Sequence, residues 1–396
     1  MRDYGVLFTV DCNHAFSLIF LYLFFAILLY SHSILLIVKD RTAVYEVLGM
    51  EIMMMKKRTS IIIGAIAVLL LLGVRVFFIY PMFLNTTPDK IMKEIVKQNK
   101  DAVISVGVWQ GGKEEKYLYT AQGKQEFIPY TYQIGSITKT FTGAMIAYEE
   151  AKGNLDLMEG EPSFDRLVTH KSGFSDEWER EMMVHPNKSF SREDMYALAE
   201  KAERTEGAFE YSNFGSALAG TRVAEIYGKE KQLPSTSYQD TMNDFIENEL
   251  GLHGTKVGGI GDFKNNYIWQ EQDEMLGDGA ISSNVPALLK YGQLYLSDDK
   301  KYAYLKNAVT KRTDLDSQYD IGMFWIIEKE SGLIWHNGEI DIEDENGSSV
   351  GYQSFIGISP KDNKVVVILS NAICNTYDET AYTDLMGYLM MKESKE

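Results

Sequence analysis

Apolar positions follow three regimes along the chain. Residues 15–38 (AFSLIFLYLFFAILLYSHSILLIV) and 60–84 (SIIIGAIAVLLLLGVRVFFIYPMFL) are near-continuous apolar runs. Each reaches the roughly 20 residues that cross about 30 Å of hydrocarbon, so both read as membrane segments. From 86 to 99 the period becomes helical: threonines and a proline open a segment that sets Ile91, Ile95 and Val96 on one face. Residues 103–109 and 116–120 are β-rich and flank Gly111-Gly112, the pattern of a hairpin. The middle, about 136–300, is mostly helical in period. There Ser191-Arg192-Glu193-Asp194 forms a capping box ahead of Met195, Leu198, Ala199 and Ala202, and a helix over 239–250 ends at Gly251. After about 318 strand patterns return at 321–328, 333–337, 352–358 and 365–369, and a last helix covers about 379–391. The acidic run 339–345 reads as a solvated loop, since its carboxylates do not follow EF-hand spacing. Strands at both ends of a helical middle predict an α+β fold. Its antiparallel sheet would come from about 85–135 and 318–396, flanked by terminal helices, with a helical lobe over 136–317 inserted between them.

Charge orients the apolar runs. Lys39, Arg41, Lys56, Lys57 and Arg58 lie between them, whereas the first fourteen residues carry only Arg2. The positive-inside rule then puts 39–59 in the cytoplasm and everything after 84 outside. Three methionines at 53–55 followed by Lys-Lys-Arg also read as a start, with 1–52 a misassigned extension; either start exports the same domain. No small-x-small cleavage pattern follows 60–84, so that segment is expected to stay as an anchor in the cell membrane. Taking the seven basic and five acidic residues of 1–84 from totals of 39 and 56 leaves 32 against 51, a net charge of -19 for 85–396. Such a domain is not built for nucleic acid. Its one cysteine, Cys374, and a set of histidines without an H-E-x-x-H motif supply neither a disulfide framework nor a zinc site, so no metal and no cofactor are expected.

The stretch QIGSITKTF, residues 133–141, places Ser136 and Lys139 three apart at the start of a helical apolar pattern (Ile137, Phe141, Met145, Tyr148). Serine as helix cap with lysine in solvent is one reading. Serine as nucleophile with lysine as its base is the other, because residues three apart are neighbours on a helix. A lysine near its ordinary pKa of about 10.4 is protonated at pH 7, so the second reading requires burial, which lowers that value. Two further short elements bear on the choice. Tyr211 and Asn213 sit two apart in a short loop before a helix that ends at Gly228, and Trp335-His336-Asn337-Gly338 lies on a predicted strand.

In this order S-x-x-K, Y-x-N and basic-x-Gly resemble the serine β-lactamase and penicillin-binding-protein superfamily, in particular its class C β-lactamase, D-Ala-D-Ala carboxypeptidase and esterase branch. Residues 167–174 (LVTHKSGF) are similar to the branch's L-L-T-H-T-S-G-L, and 207–213 (GAFEYSN) to its P-G-x-x-F-x-Y-S-N. The segments 275–283 (MLGDGAISS) and 351–354 (GYQS) resemble its Gly-rich stretch and a strand start, and 366–371 its last strand. The likeness spans about 90–390. It implies Ser136 as nucleophile, Lys139 as its proton acceptor and Tyr211 as the group that passes the proton to the leaving group. It also implies Asn213 on the substrate amide or on Lys139, His336 on the sheet side of the cleft, and an oxyanion hole from the N–H groups of Ser136 and Glu339.

The chain departs from the branch at its third element. Where β-lactamases carry K-T-G, whose lysine attracts the substrate carboxylate, it has His336-Asn337-Gly338. An unperturbed histidine is mostly neutral at pH 7, Asn337 replaces a carboxylate-binding hydroxyl, and Glu339 adds an acid where small residues are usual. All three count against efficient β-lactam hydrolysis. The segment 153–167 is shorter than usual and the acidic stretch after Gly338 longer, which remodels the cleft rim. The expectation is an outward-facing, membrane-anchored serine hydrolase acting through an acyl-serine on a small-molecule or peptide substrate, a cell-wall peptide among the candidates. A carboxypeptidase or esterase is favoured; a binding or sensor module that acylates without turnover is the alternative, and a β-lactamase comes third.

Overall fold

Gly111 and Gly112 take left-handed backbone (φ 56° and 88°), which a side chain would resist. They fold the first β-rich runs into the expected hairpin, β1 (Ile104–Gln110) and β2 (Lys113–Thr120). The computed structural model describes residues 86–175, 179, 189–205 and 207–393. In chain order the remaining strands are β3 (Gly123–Gln125), β4 (Tyr132–Gln133), β5 (Lys256–Val257), β6 (Ile281–Ser283), β7 (Thr313–Asp314), β8 (Tyr319–Ile321), β9 (Ile326–Glu328), β10 (Ile334–Glu343), β11 (Ser349–Ser359) and β12 (Lys364–Ser370). The helices are α1 (Pro88–Gln98), α2 (Thr138–Ala151), α3 (Phe164–Val168), α4 (Arg192–Lys201), α5 (Asn213–Glu230), α6 (Tyr238–Asp244), α7 (Val285–Leu296), α8 (Ala303–Ala308) and α9 (Tyr382–Lys392).

The main sheet is antiparallel, in the order β3-β2-β1-β12-β11-β10-β9-β8-β7, so the first strands pair with the last ones as expected. Alternation splits its residues between two cores. Val106, Val108, Phe355, Val366 and Ile368 pack outward on α1 and α9, against Ile91, Ile95, Met386 and Met390. Tyr352, Ile356, Val365, Val367 and Leu369 pack inward on the helical lobe, against α2 and α7. β12 is covered on both faces, which is why its sequence is apolar without alternation. A small sheet, β4-β6-β5, lies beside the start of α2.

Three expectations change. The acidic run is strand through Glu343: Glu339, Asp341 and Glu343 alternate with Ile340 and Ile342, and all pair with β11. Only 344–348 turn, held by Asp344 accepting from the Asn346 and Ser348 N–H groups. The strand predicted over 321–328 breaks in two, because Met323 and Phe324 donate their N–H groups to Ala308 and Val168 of the helical lobe, with Phe324 at φ 64°. The helix predicted over 239–250 closes in a π-helical turn, Phe245–Glu249. The capping box at Ser191 and Asp194 is formed as read. The apolar segments 15–38 and 60–84 lie outside the described residues; among the described residues no helix is long and apolar enough to cross a membrane.

Candidate active site

Ser136 occupies the 3-10 turn Gly135–Ile137 that leads into α2, yet its hydroxyl caps nothing: neither turn nor helix has a side-chain cap. Its Oγ accepts hydrogen bonds from Lys139 Nζ at 2.9 Å and from the Tyr211 hydroxyl at 2.7 Å. The capping reading of QIGSITKTF is therefore set aside by geometry. Lys139, fully buried, also donates to Asn213 Oδ1 at 2.9 Å and to the Asp278 carbonyl at 2.5 Å. Burial pushes its pKa below the ordinary lysine value, while the negative charges of Asp278 and Glu179 oppose the drop. As an amine, Lys139 would still donate to Asn213 and Asp278 and turn its lone pair to the serine proton.

Local sequence explains how Tyr211 and Asn213 arrive there. Ser212 is the N-cap of α5, its Oγ accepting from the Gly215 N–H at 2.7 Å, so Asn213 is the first helical residue and its amide is released toward Lys139. Two residues that sequence reasoning did not single out fix this loop. Buried Glu179 accepts from the Ser212 hydroxyl and from the N–H groups of Asn213 (3.0 Å) and Phe214 (3.1 Å). Burial raises its pKa to about 7 against the pull of those bonds and of Lys139. His170 accepts the Ser212 N–H on Nδ1 at 3.1 Å, and its carbonyl accepts from the Glu210 N–H at 2.8 Å. Its ring stacks on Tyr211, with centroids 4.4 Å apart and planes 26° apart. Burial, then Lys139 and His336, hold His170 well below the usual histidine pKa. His170 lay inside LVTHKSGF, where its left-handed backbone (φ 54°) was the hidden sign of a special position. Glu179 gave no signal, because its partners lie more than thirty residues away.

The sheet closes the other side. A Cβ on Gly338 would stand 2.0 Å from the Ile134 carbonyl oxygen and 2.9 Å from Ser136 N, and one on Gly135 would stand 2.6 Å from Glu339 N. Only with glycine at both places can the nucleophile turn lie against β10, and the Ser354 hydroxyl pins it there by donating to Ile134 O at 2.9 Å. This close approach brings the backbones of Ser136 and Glu339 together, as the oxyanion-hole expectation requires. His336 lies on the same face, buried, with Nδ1 2.5 Å from the Asn337 carbonyl. A carbonyl only accepts, so the ring proton sits on Nδ1 and Nε2 keeps its lone pair. Burial, with Lys139 adding to it, pushes the His336 pKa down to about 3.

The side chains of Asn337 and Glu339, unlike the Glu339 backbone, correct the sequence reading. Strand alternation turns both side chains to the opposite face of β10. Asn337 donates to Asp384 of α9 at 2.6 Å, and Glu339 accepts from Gln353 at 2.8 Å. They were placed in the cleft by their neighbours in sequence, and a one-residue step on a strand reverses the face. Gln133, the first residue of QIGSITKTF, is buried and holds the 259–267 loop by bonds to Gly259 O, Tyr267 O and Tyr267 N. That loop leads to Trp269, whose ring lies against Gly279, close to Gly135. Among the described residues no three His, Cys, Asp or Glu side chains converge as metal ligands would.

A serine hydrogen-bonded to both a buried lysine and a tyrosine, at the seam of a helical lobe and an antiparallel sheet, is an arrangement that can support acyl transfer. A family model described as Beta-lactamase matches residues 89–374, and the chain belongs to that family, within the serine β-lactamase and transpeptidase superfamily. A β-lactamase of Providencia stuartii is 28% identical over 244 residues, which cover 54% of this chain and 60% of that relative. The chain thus matches less than two thirds of that relative's length. Among solved structures, a class C β-lactamase from Rhodobacter sphaeroides has a TM-score of 0.57 at 17% identity, covering 77% of this chain and 99% of that one. A β-lactamase/D-alanine carboxypeptidase from Pseudomonas syringae has a TM-score of 0.59 at 14% identity, covering 78% and 99%. Likeness at this level of identity establishes the fold.

Proposed function

We propose that the protein is a serine hydrolase that cleaves a peptide, amide or ester through an acyl-serine, of carboxypeptidase or esterase type, held at the outer face of the cell membrane by residues 60–84. The observation that carries the reading is the Ser136 Oγ flanked by Lys139 at 2.9 Å and Tyr211 at 2.7 Å. Lys139 takes the Ser136 proton as Oγ bonds to the carbonyl carbon; the N–H groups of Ser136 and Glu339 hold the developing oxyanion; the C–O or C–N bond breaks, and the leaving group departs with a proton passed through Tyr211. Water, losing a proton to the same pair, then attacks the acyl-serine and releases a carboxylic acid and free Ser136. Membrane anchoring rests on the length of the apolar run and the basic residues before it. The family's β-lactamase relatives make a β-lactam the natural comparison substrate; the neutral His336 supports ranking it below esters and peptides.

The test uses the full chain in detergent, wild type and Ser136→Ala in parallel, with a p-nitrophenyl ester, a wall-type peptide ending in D-Ala-D-Ala and a chromogenic cephalosporin. Serine-dependent turnover of ester or peptide, exceeding that of the cephalosporin, is expected. Equal activity in Ser136→Ala would sink the mechanism, and serine-dependent labelling by a fluorescent penicillin with no turnover of any substrate would favour the sensor alternative.

A further inference from the structure

The groups around Ser136 differ sharply in what they leave for a substrate. Lys139 has three N–H positions as an ammonium, and three protein acceptors take them: Ser136 Oγ, Asn213 Oδ1 and the Asp278 carbonyl. It has none to offer a substrate carboxylate. His336 stands where the superfamily's β-lactamases carry a lysine, but its Nδ1–H is spent on the Asn337 carbonyl and its Nε2 presents a lone pair, which repels an anionic oxygen. The Asn337 amide, which could have donated to a carboxylate, is on the far face of the strand with Asp384. Among the described residues, Lys139 is the only lysine or arginine hydrogen-bonded into the Ser136 cluster. Acidic side chains, by contrast, are close, and burial raises the pKa of both, Glu179 to about 7 and Asp278 to about 6, so their charge grows above neutral pH. Glu179 lies behind Asn213, and the half-buried carboxylate of Asp278 has an Oδ1 with no hydrogen-bond partner. Asp278 stands in the Gly-rich stretch MLGDGAISS, on the residue whose carbonyl holds Lys139.

We propose that this cleft selects substrates without a carboxylate beside the scissile bond: a neutral ester or amide, and not a peptide ending in a free carboxylate or a β-lactam. The inference rests on the acyl-serine reading and narrows it to the esterase arm. Juxtaposing like charges costs several kcal/mol, enough to separate substrates that differ in one charge.

The experiment compares two depsipeptides with one scissile ester and one acyl group, differing only in whether the leaving hydroxy acid ends in a carboxylate or a carboxamide. For wild type we expect kcat/KM at least about tenfold higher on the carboxamide, the gap shrinking as salt is raised. In His336→Lys the gap should close or reverse. Equal or faster wild-type turnover of the carboxylate substrate overturns the inference whether or not the lysine variant folds. Absence of Ser136-dependent turnover on both depsipeptides is a different failure, one that removes the underlying acyl-serine reading.

Discussion

Tyr211→Phe isolates a single atom of the site. The substitution removes the hydroxyl that donates to Ser136 Oγ at 2.7 Å, and keeps the ring that stacks on His170 at 4.4 Å and lies 5.0 Å from Lys139 Nζ. Folding should be nearly untouched, since one hydrogen bond at a cleft contributes about 1 kcal/mol. Catalysis should not be. A positioned proton-transfer group supplies about 10²–10⁴-fold, or roughly 3–5 kcal/mol of barrier. The size of the loss must also depend on the leaving group. A nitrophenolate departs as a stable anion and needs no proton, whereas an alkoxide or an amine does. If Tyr211 delivers that proton, Tyr211→Phe loses the full factor on an alkyl ester or an anilide and much less on a p-nitrophenyl ester of the same acid. Initial rates for the two ester classes, with burst amplitudes to separate acylation from deacylation, make the comparison. Equal losses on both leaving groups would refute proton delivery and leave Tyr211 as a prop for Ser136; no loss on either would remove it from the mechanism.

Two pH experiments follow from buried groups. Lys139 must be unprotonated to accept the serine proton, so log kcat/KM should rise with unit slope as pH increases and level off below the ordinary lysine value of about 10.4; a flat profile from pH 5 to 9 contradicts a lysine base. Asp384 is an acid whose folded pKa burial raises to about 7 against about 3.9 unfolded. Its penalty on folding is therefore absent below about pH 4, grows as pH climbs through that window and is complete above pH 7. Asp384→Asn keeps an acceptor for Asn337 and should raise the melting temperature at pH 8.5, by about 2 kcal/mol of stability after allowing for solvent screening, and change nothing at pH 4; equal gains at both pH values would show that packing is responsible.

Much of the fold was legible because it rests on local periodicity. Gly111-Gly112, the Ser191 capping box and the continuous apolar run of the last strand each specify an element without distant help. The misplaced pieces are those decided by tertiary contact. Residues 322–324 leave the sheet because the helical lobe offers carbonyls at Val168 and Ala308, and no pattern within 321–328 records those partners. At the site, Ser136, Lys139, Tyr211, Asn213 and His336 were readable as ordered motifs, and the structure brings them into one cluster. The side chains of Asn337 and Glu339 lie on the far face, while the Glu339 backbone stays beside Ser136: a motif written as letters carries no face, and pairing with β11 assigns one. His170 and Glu179 act on the Tyr211 loop through hydrogen bonds between residues far apart in sequence, and only the folded chain reveals them.

The seam between nucleophile turn and sheet has a consequence in time. Ser136 and Lys139 are made early, whereas β10, with the backbone N–H that the oxyanion needs and the glycine that lets the turn approach, is made near the end of the chain. The sheet itself cannot assemble until β11 and β12 reach β1. A growing chain therefore carries Ser136 and Lys139 before it has the strand that the proposed chemistry needs. On the proposed mechanism, reactivity waits until the two ends of the domain have met, so the chain would be silent throughout its own synthesis.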